Sequence, residues 1–412
     1  MRRRNVDFLC AVVIVGLLAG LAGLSTTLLL RFVEHLTYHY TFGSLLEAVT
    51  GSSPVRRALG PMVGGARAGL GWWVLRSRTD VPSLSAAIAS PERIRLLPFG
   101  VDAALQVLVV GSGASLGREV APRQLAAALG DFAMGWLKRL SARDREILLA
   151  CAAGAGLGAV YAVPLAGALF AVRIMLKTWQ PRALGAALIT SSLAVAVASF
   201  ATHDQPDLHW PNLYVSYRLI GYALALAPLT LVLGLAFNRL MAAARQAALT
   251  RSWLLIPAIA GAGLLVGVCS RWWPELPGNG RSILNLILGD GMTLKTAAEV
   301  LVLKLLVTAT FLRAGARGGL FTPALATGAA AGTLFVLTIN AIAGTQFHVP
   351  AIALAGSAGV LAITQRAPLW AAIFVWELAR PPLWLLLVFL VAALSTYGLR
   401  LLVERSRKLL RP

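Results

Sequence analysis

Charged residues are scarce in this sequence of 412 residues, since Asp, Glu, Lys and Arg together make up only 13% of it. A soluble domain carries roughly 25% charged residues, whereas 58% of this chain is hydrophobic. The apolar runs at 9–30, 219–235, 253–268 and 384–394 are too many for one soluble core. The composition therefore predicts a polytopic membrane protein. A spanning helix needs roughly 20 apolar residues, and several runs are shorter or are broken by Gly and Pro, so some helices should cross only partly.

Acidic residues are rarer than basic ones. The chain has 17 Asp and Glu and 37 Lys and Arg, which gives a net charge of +20. Such an excess can indicate nucleic-acid binding, but here the basic residues cluster at both ends and between apolar runs. By the positive-inside rule these clusters face the cytoplasm, and the segment 203–212, which has no Lys or Arg, should be external. We therefore expect a multi-pass protein of the inner (plasma) membrane with both termini cytoplasmic and no nucleic-acid partner. The basic clusters lie at 2–4, 76–78, 93–95, 138–145 and 405–411.

Cysteine is rare as well, and Cys10, Cys151 and Cys269 stand far apart in apolar surroundings. This pattern favours three buried thiols over a disulfide or a metal site. The apolar runs contain no Ser/His, metal-ligand or paired-carboxylate constellation, so the sequence predicts neither an enzyme nor a metal centre nor a cofactor. The first apolar run is long and lacks a small-residue cleavage site, which argues against a cleavable signal peptide.

Two short motifs each have a similar counterpart further along the chain. GREVAP begins at Gly117 and is matched by GGLFTP, which begins at Gly318. VPLAGALFAV carries Pro164 where APLWAAIFVW carries Pro368. The two pairs have nearly the same offset along the chain, which predicts two halves with one helix plan, and internal repeats with Gly/Pro-broken helices are typical of transporters. We expect one integral membrane domain, 1–412, with halves of about 1–200 and 215–403 and a basic cytoplasmic tail at 404–412.

Gly117–Pro122 and Gly318–Pro323 both indicate helices that begin inside the membrane. A helix start leaves about four backbone N–H groups unpaired, and its dipole adds roughly half a positive charge there. Gly lets the backbone approach a ligand closely, and Pro fits the first turn. Two such starts meeting near the bilayer midplane would hold a small anion without a fixed positive charge, which allows the anion to leave again.

Glu119 lies in the middle of the first helix start. An ionisable residue inside a membrane is functional by default. A carboxylate competes with an anion for the same N–H groups and vacates them when it is protonated or displaced, so we predict that Glu119 is a gate. The alternative is that Glu119 pairs with Arg118 at a membrane surface.

Asp102 and Lys304 each lie 17 residues before a key residue of their own half, Glu119 and Phe321. The matched spacing predicts an ion pair between them beneath the pore. The alternative is that both side chains reach the membrane surface separately.

These motifs resemble the CLC family of chloride channels and chloride/proton exchangers over about residues 6–402. GREVAPRQ is similar to the family's G-[RK]-E-G-P-x-x-Q, which implies that Glu119 is the external gating glutamate and Gln124 the closing Gln. GGLFTP is similar to G-x-F-x-P, which implies that the N–H groups of Leu320 and Phe321 contact chloride. The resemblance further implies an all-α CLC-type fold with two inverted-topology repeats and broken or partial membrane helices. It also implies a homodimer in membrane lipid with one pore per protomer and no cofactor beyond the transported chloride.

The residues implied by the resemblance fall into two groups. The implied anion-binding residues are Thr79, Arg118, Val120, Leu320 and Phe321. The residues that support the two motifs are Gly117, Pro122, Gln124, Gly318, Gly319 and Pro323.

The chain departs from the family pattern at three places. The family's G-S-G-I-P appears as Arg-Thr-Asp-Val-Pro at 78–82, where Thr79 keeps a hydroxyl and Asp80 adds an acid near the anion path. Arg173 and Ile174 stand where many proton-coupled members carry a glutamate. The central-site Tyr has no counterpart, because Tyr397 comes too early, inside the last long helix.

These departures favour passive, channel-like flux of chloride and similar small anions, gated by Glu119. The alternative is a chloride/proton antiporter with a non-standard inner proton path. Selectivity for fluoride stays open, because the altered first motif permits it and nothing in the sequence demands it.

Overall fold

The computed structural model describes residues 2–40, 43–137, 139–202, 210, 215–289 and 291–409. These residues form 18 α-helices and one π-helix, and they contain no β-strand. The prediction of an all-α fold is therefore confirmed. The first helices are α1 (Arg2–Tyr38), α2 (Leu45–Gly51), α3 (Pro54–Arg78), α4 (Leu84–Ala89), α5 (Leu96–Gly111), α6 (Val120–Met134), α7 (Ala142–Tyr161), α8 (Pro164–Leu169), which continues as the π-helix Phe170–Met175, and α9 (Pro181–Thr202). The later helices are α10 (Arg218–Ala225), α11 (Ala227–Gln246), α12 (Leu255–Cys269), α13 (Arg281–Leu288), α14 (Leu294–Arg313), α15 (Phe321–Ala343), α16 (Val349–Gln365), α17 (Pro368–Ala379) and α18 (Leu385–Leu409).

Hydroxyl side chains fix where several of these helices begin. Ser44, Ser53, Ser83, Ser141 and Thr293 each stand immediately before a helix and accept a hydrogen bond from a backbone N–H of its first turn. Each bond satisfies one donor that the helix itself leaves unpaired and stabilises the helix by about 1 kcal/mol. The hydroxyl residue just before each of these helices therefore helps to determine where the helix begins.

Helix length divides the apolar helices into two groups. Five are long and apolar enough to cross a membrane, namely 5–38, 181–200, 227–246, 321–343 and 385–406. Among the described residues, the helical stretches at 96–111, 164–175, 255–269, 349–365 and 368–379 are also apolar but have only 10–17 residues. This mixture confirms a polytopic membrane protein in which some helices are too short to span a bilayer on their own.

The doubled motifs stand at helix starts, as the sequence predicts. α6 begins at Val120 and α15 at Phe321, within the first pair of matching motifs. α8 begins at Pro164 and α17 at Pro368, the two prolines of the second pair. The division of the chain into halves at 1–200 and 215–403 stays a prediction.

Glycines bring the backbones of α3 and α12 into contact. A Cβ added to Gly65 would lie 2.6 Å from the carbonyl oxygen of Ile259, and one added to Gly263 would lie 2.2 Å from the carbonyl oxygen of Pro61. Close backbone approach through small residues is a usual way to pack helices in membranes, where lipid is as apolar as the side chains. The contact joins a helix before residue 200 to a helix after residue 215, and α3 ends next to Thr79.

The three cysteines differ in burial. Cys151 is buried and Cys269 half-buried, but Cys10 is exposed, so the prediction of three buried thiols is wrong for Cys10. Cys10 lies on α1, which is apolar on more than one face, and such a helix exposes apolar side chains to lipid rather than burying them all.

Two further predicted segments lie near the limits of the described residues. The segment 203–212 lies outside them except for Trp210. α18 runs to Leu409, so most of the predicted tail is helical.

Candidate functional site

The two predicted helix starts meet backbone to backbone. The N–H of Gly117 donates to the carbonyl of Gly319 at 2.7 Å, and the N–H of Gly319 donates to the carbonyl of Gly117 at 2.8 Å. This pair is an isolated antiparallel bridge between two segments that lie far apart in the sequence. It places the N-terminal ends of α6 and α15 side by side, so their partial positive charges add at one place.

The glycines of this bridge leave room for the Glu119 carboxyl group. A Cβ on Gly319 would lie 2.0 Å from Cδ of Glu119, and a Cβ on Gly117 would lie 2.1 Å from its Oε2. A Cβ on Gly318 would lie 2.8 Å from Cβ of Leu116. No side chain larger than hydrogen therefore fits at these three positions without displacing Glu119 or the loop.

Glu119 is fully buried and its carboxylate points at the start of α15. Oε1 accepts the backbone N–H of Phe321 at 2.6 Å. Oε2 accepts the hydroxyl of Thr322 at 3.3 Å and the hydroxyl of Tyr161 at 3.2 Å. A buried carboxylate needs such donors, because an unpaired charge away from water is very costly. Glu119 thus accepts a backbone N–H at the start of α15, and its role as a gate stays a prediction.

Two further backbone N–H groups lie at the same helix starts. Within the described part of the chain, the N–H groups of Val120 and Leu320 have no hydrogen-bond acceptor. Val120 is the first residue of α6, and Leu320 directly precedes α15. Pro122 and Pro323 occupy the first turn of their helices, where no N–H is needed. Besides the Phe321 N–H that Glu119 accepts, the two helix starts therefore have two unused backbone donors, the N–H groups of Val120 and Leu320.

Two arginines flank Glu119. Arg118 donates to the carbonyl of Val160 at 3.2 Å, and its guanidinium lies 5.1 Å from the centre of the Tyr161 ring. Arg123 donates to the Glu119 carbonyl at 2.8 Å. The Arg123 guanidinium also lies over the Phe321 ring, 4.8 Å from its centre. Such cation–π contacts fix the position of a guanidinium near apolar surroundings.

Gln124 belongs to a buried polar cluster around Asp102 rather than to the carboxylate of Glu119. Asp102 accepts the Nε1–H of Trp72 at 2.9 Å and the amides of Gln106 and Gln124 at 2.8 and 3.1 Å. Its fourth partner is Arg317, at 3.5 Å. The cluster ties α3, α5 and α6 to the segment that leads into α15.

The predicted ion pair between Asp102 and Lys304 is wrong. Lys304 is buried, and its Nζ donates to the carbonyls of Leu276 and Gly278 at 3.1 and 2.8 Å, while Asp102 has the partners just described. Equal spacing from two helix starts does not bring the two residues together, because each side chain meets other partners.

Thr79 lies away from the contacts of Glu119, on the wall of an open cavity. It follows α3 directly, and its N–H donates to the carbonyl of Leu75 at 2.9 Å. The cavity has a volume of about 520 Å³. We call it the basic cavity; it is lined by Arg76, Ser77, Arg78, Thr79, Asp80, Arg95 and Arg251. Asp80, the acid expected to disturb anion entry, pairs with Arg251, which reduces its repulsion of anions.

The two other departures from the motif pattern have defined surroundings. Arg173 lies in the π-helix, 4.6 Å from the centre of the Trp179 ring, and Ile174 next to it is half-buried. Glu377 accepts the N–H groups of Leu165 and Ala166 at 2.9 and 2.6 Å and so caps α8 from α17. Tyr397 stands inside α18, as expected.

Sequence reasoning missed Tyr161, Thr322, Arg123 and Arg317. Thr322 and Arg123 lie inside the quoted motifs and could have been found from them. Tyr161 is far from Glu119 in the sequence, and no local pattern links the end of α7 to that residue. Arg317 directly precedes GGLFTP, and its basic charge beside a helix start was the available signal.

The described helices and the bridged helix starts define an all-α, multi-pass membrane protein of the transporter class. The sequence model of a family described as voltage gated chloride channel matches residues 64–400. The chain is 31% identical over 381 residues to the voltage-gated ClC-type chloride channel ClcB of Escherichia coli O81 (strain ED1a), covering 89% of both proteins. ClcB of Escherichia coli O157:H7 gives the same identity and coverage. The chain therefore belongs to the voltage-gated chloride channel family, the CLC family.

Solved structures support the same fold. A slow cyanobacterial Cl⁻/H⁺ antiporter superposes with a TM-score of 0.79 at 21% identity, over 97% of this chain and 98% of the other. A CLC-type fluoride/proton antiporter superposes with a TM-score of 0.75 at 17% identity, over 96% and 95%. At these identities the superpositions establish the CLC architecture alone.

Proposed function

We propose that this protein carries chloride and similar small anions across the membrane, and that Glu119 is the gate. The observation that supports this most is the 2.6 Å hydrogen bond from the Phe321 N–H to the buried Glu119 carboxylate. A carboxylate is an anion tethered to the chain, and it occupies a place built from two helix starts. The unused N–H groups of Val120 and Leu320 supply further donors when the carboxylate swings out. Their use by chloride follows from the charge of the helix starts.

For the mechanism, the fold neighbours favour chloride/proton exchange over the passive flux expected from the sequence, because two of them are named as proton antiporters. In this proposal the proton is carried by Glu119, which leaves the helix starts as a neutral acid. Ile174 has no proton site, and the side chain of Arg173 has no acceptor that could take up a proton. The basic cavity, at about 520 Å³, has room for many water molecules, and we propose that protons enter through this water.

Passive flux is the second candidate. It is favoured by Arg173 and Ile174 at the expected inner proton position, where no carboxylate stands.

We further propose a homodimer in the inner membrane with one pore per protomer. We also propose that both termini are cytoplasmic, in line with the basic clusters at both ends.

The test reconstitutes the purified protein in liposomes and records chloride and pH with two electrodes. An imposed chloride gradient that drives protons uphill supports exchange. Chloride efflux without proton movement supports passive flux, and efflux no faster than from protein-free liposomes overturns anion transport altogether.

A further inference from the structure

A second cavity lies between the start of α3 and the end of α12, at the opposite end of α3 from the basic cavity. Its volume is about 230 Å³, several times the roughly 30 Å³ that one water molecule takes up in the liquid. The two helices touch beside it, because a Cβ added to Gly267 would lie 2.3 Å from the carbonyl oxygen of Arg57. We call it the α3–α12 cavity; its walls include Arg57, Ala58, Gly267, Val268, Arg271 and Trp272.

This cavity lies at the level of the lipid headgroups. Arg56, in the first turn of α3, donates to the carbonyls of Leu36 and Thr37 at 2.9 and 2.7 Å. Those two residues end the apolar stretch 5–38, which is long enough to cross a membrane, so the start of α3 lies at a membrane surface. Trp272 on the cavity wall is 64% exposed, and tryptophan is enriched at this level of a membrane.

Two guanidiniums give the cavity a positive charge that no carboxylate offsets. Arg57 donates to the carbonyls of Ser52 and Ser270 at 3.0 and 3.4 Å. It also donates to the carbonyl of Thr50, and carbonyls carry no net charge. Arg271 is exposed, and within the described residues its side chain has no hydrogen-bond or ion-pair partner. The described walls contain no Asp or Glu, so Arg271 offers its five N–H donors to a ligand.

Exposed apolar side chains lead away from the cavity along both helices. On α12, Leu264 lies one turn before Val268, and both are exposed. On α3, Val55 and Leu59 are likewise one turn apart and exposed. Side chains four residues apart share one face of a helix, so each helix presents an apolar strip that starts beside the cavity and runs toward the membrane interior. A positively charged cavity that continues into apolar strips matches a ligand with an anionic head and apolar tails.

We propose that the α3–α12 cavity binds the headgroup of an anionic phospholipid, with the phosphate on Arg271 and the acyl chains along the two apolar strips. A guanidinium binds a phosphate through two parallel hydrogen bonds, and basic pockets between membrane helices bind anionic lipid headgroups. Arg57 adds positive charge from the wall, where backbone carbonyls hold it in place. The site lies apart from the anion path proposed above and does not depend on it. The bound lipid ties the start of α3 to the end of α12.

The experiment measures lipid binding to the purified protein by native mass spectrometry, with phosphatidylglycerol and phosphatidylcholine of identical acyl chains. The wild type should bind phosphatidylglycerol more tightly than phosphatidylcholine. Arg271→Gln should raise the dissociation constant for phosphatidylglycerol roughly fivefold, the usual effect of one arginine on an anionic lipid surface, and should change that for phosphatidylcholine less than about twofold. Arg271→Lys should keep most of the affinity. Arg218→Gln, exposed at the start of α10, is the matched control and should bind both lipids like the wild type.

Thermal unfolding separates lipid binding from a change in the fold. Phosphatidylglycerol should raise the unfolding temperature of the wild type and of Arg218→Gln more than that of Arg271→Gln. Without lipid the three proteins should unfold at the same temperature, because the Arg271 side chain has no partner among the described residues to lose.

Equal phosphatidylglycerol binding by the wild type and Arg271→Gln overturns the site, and so does an equal loss in Arg218→Gln. Phosphatidylcholine binding as tight as phosphatidylglycerol binding would show that only the apolar strips matter. Free glycerol phosphate tests the source of the phosphate. If it displaces phosphatidylglycerol at equal concentration, the cavity binds a soluble anion and the lipid proposal is wrong.

Discussion

The hydroxyl of Tyr161 donates to Oε2 of Glu119 at 3.2 Å, so the last residue of α7 holds the carboxylate at the start of α15. The Tyr161 ring packs edge-on against Phe374 with centroids 5.8 Å apart, and the Arg118 guanidinium lies near its other side. The ring is held by these neighbours, so we expect the bond to break when the carboxylate swings out, as proposed for the gate.

Tyr161→Phe should open the gate more often, because the carboxylate loses one of its three donors in the closed state only. A hydrogen bond to a charged group contributes about 1.5–3 kcal/mol, so chloride flux should rise by roughly 10- to 150-fold where gate opening limits the rate. Chloride efflux from liposomes measures this. Tyr217→Phe, an exposed tyrosine before α10, is the control and should leave efflux unchanged. An efflux rate equal to wild type in Tyr161→Phe would show that the bond does not hold the gate.

Glu119→Gln should give chloride flux that no longer responds to pH. The amide is neutral like the protonated acid and cannot release a proton, so the gate is fixed in its uncharged form. Efflux is compared between acidic and neutral external pH, with Glu92→Gln on an exposed loop as the control. If wild type and Glu119→Gln keep the same pH dependence, Glu119 is not the gate.

Gly319→Ala should abolish most transport, because the new Cβ would stand 2.0 Å from Cδ of Glu119. The carboxyl group or the bridge to Gly117 must then move, and both belong to the proposed anion path. Gly185→Ala in α9 is a matched control, since a Cβ there meets no atom within 4 Å and Ala favours helix by up to about 1 kcal/mol. Efflux and thermal unfolding are measured for both variants. Wild-type efflux in Gly319→Ala would show that the close approach is not required.

The direction of proton movement tests whether chloride transport is coupled to proton transport. An outward chloride gradient should drive protons into the liposome against their own gradient in the wild type. The same gradient should drive none in Glu119→Gln, because the proton carrier is then missing. The reversal potential for the wild type should differ from the chloride equilibrium potential. A reversal potential equal to the chloride value would establish passive flux and remove exchange.

The repeated motifs predicted both helix starts and the residues that meet there, because Gly and Pro mark such starts locally. The nearly equal offsets of the two motif pairs predicted which starts correspond. They could not predict the environment of Asp102, since correspondence between halves does not imply contact. Tyr161 was beyond sequence reasoning for a similar reason. Its contact with Glu119 depends on how α7 packs against α6, and a tyrosine ending a small-residue helix carries no local sign of its partner.

Close backbone approach joins α3 to α12 at Gly65 and Gly263, where an added Cβ would collide with carbonyl oxygens of the other helix. Two helices packed this closely resist sliding past each other, and we expect them to move as one unit. Arg76, near the end of α3, lines the basic cavity. We therefore expect a change in the width of this cavity to be absorbed by the segment 79–83, which links α3 to α4.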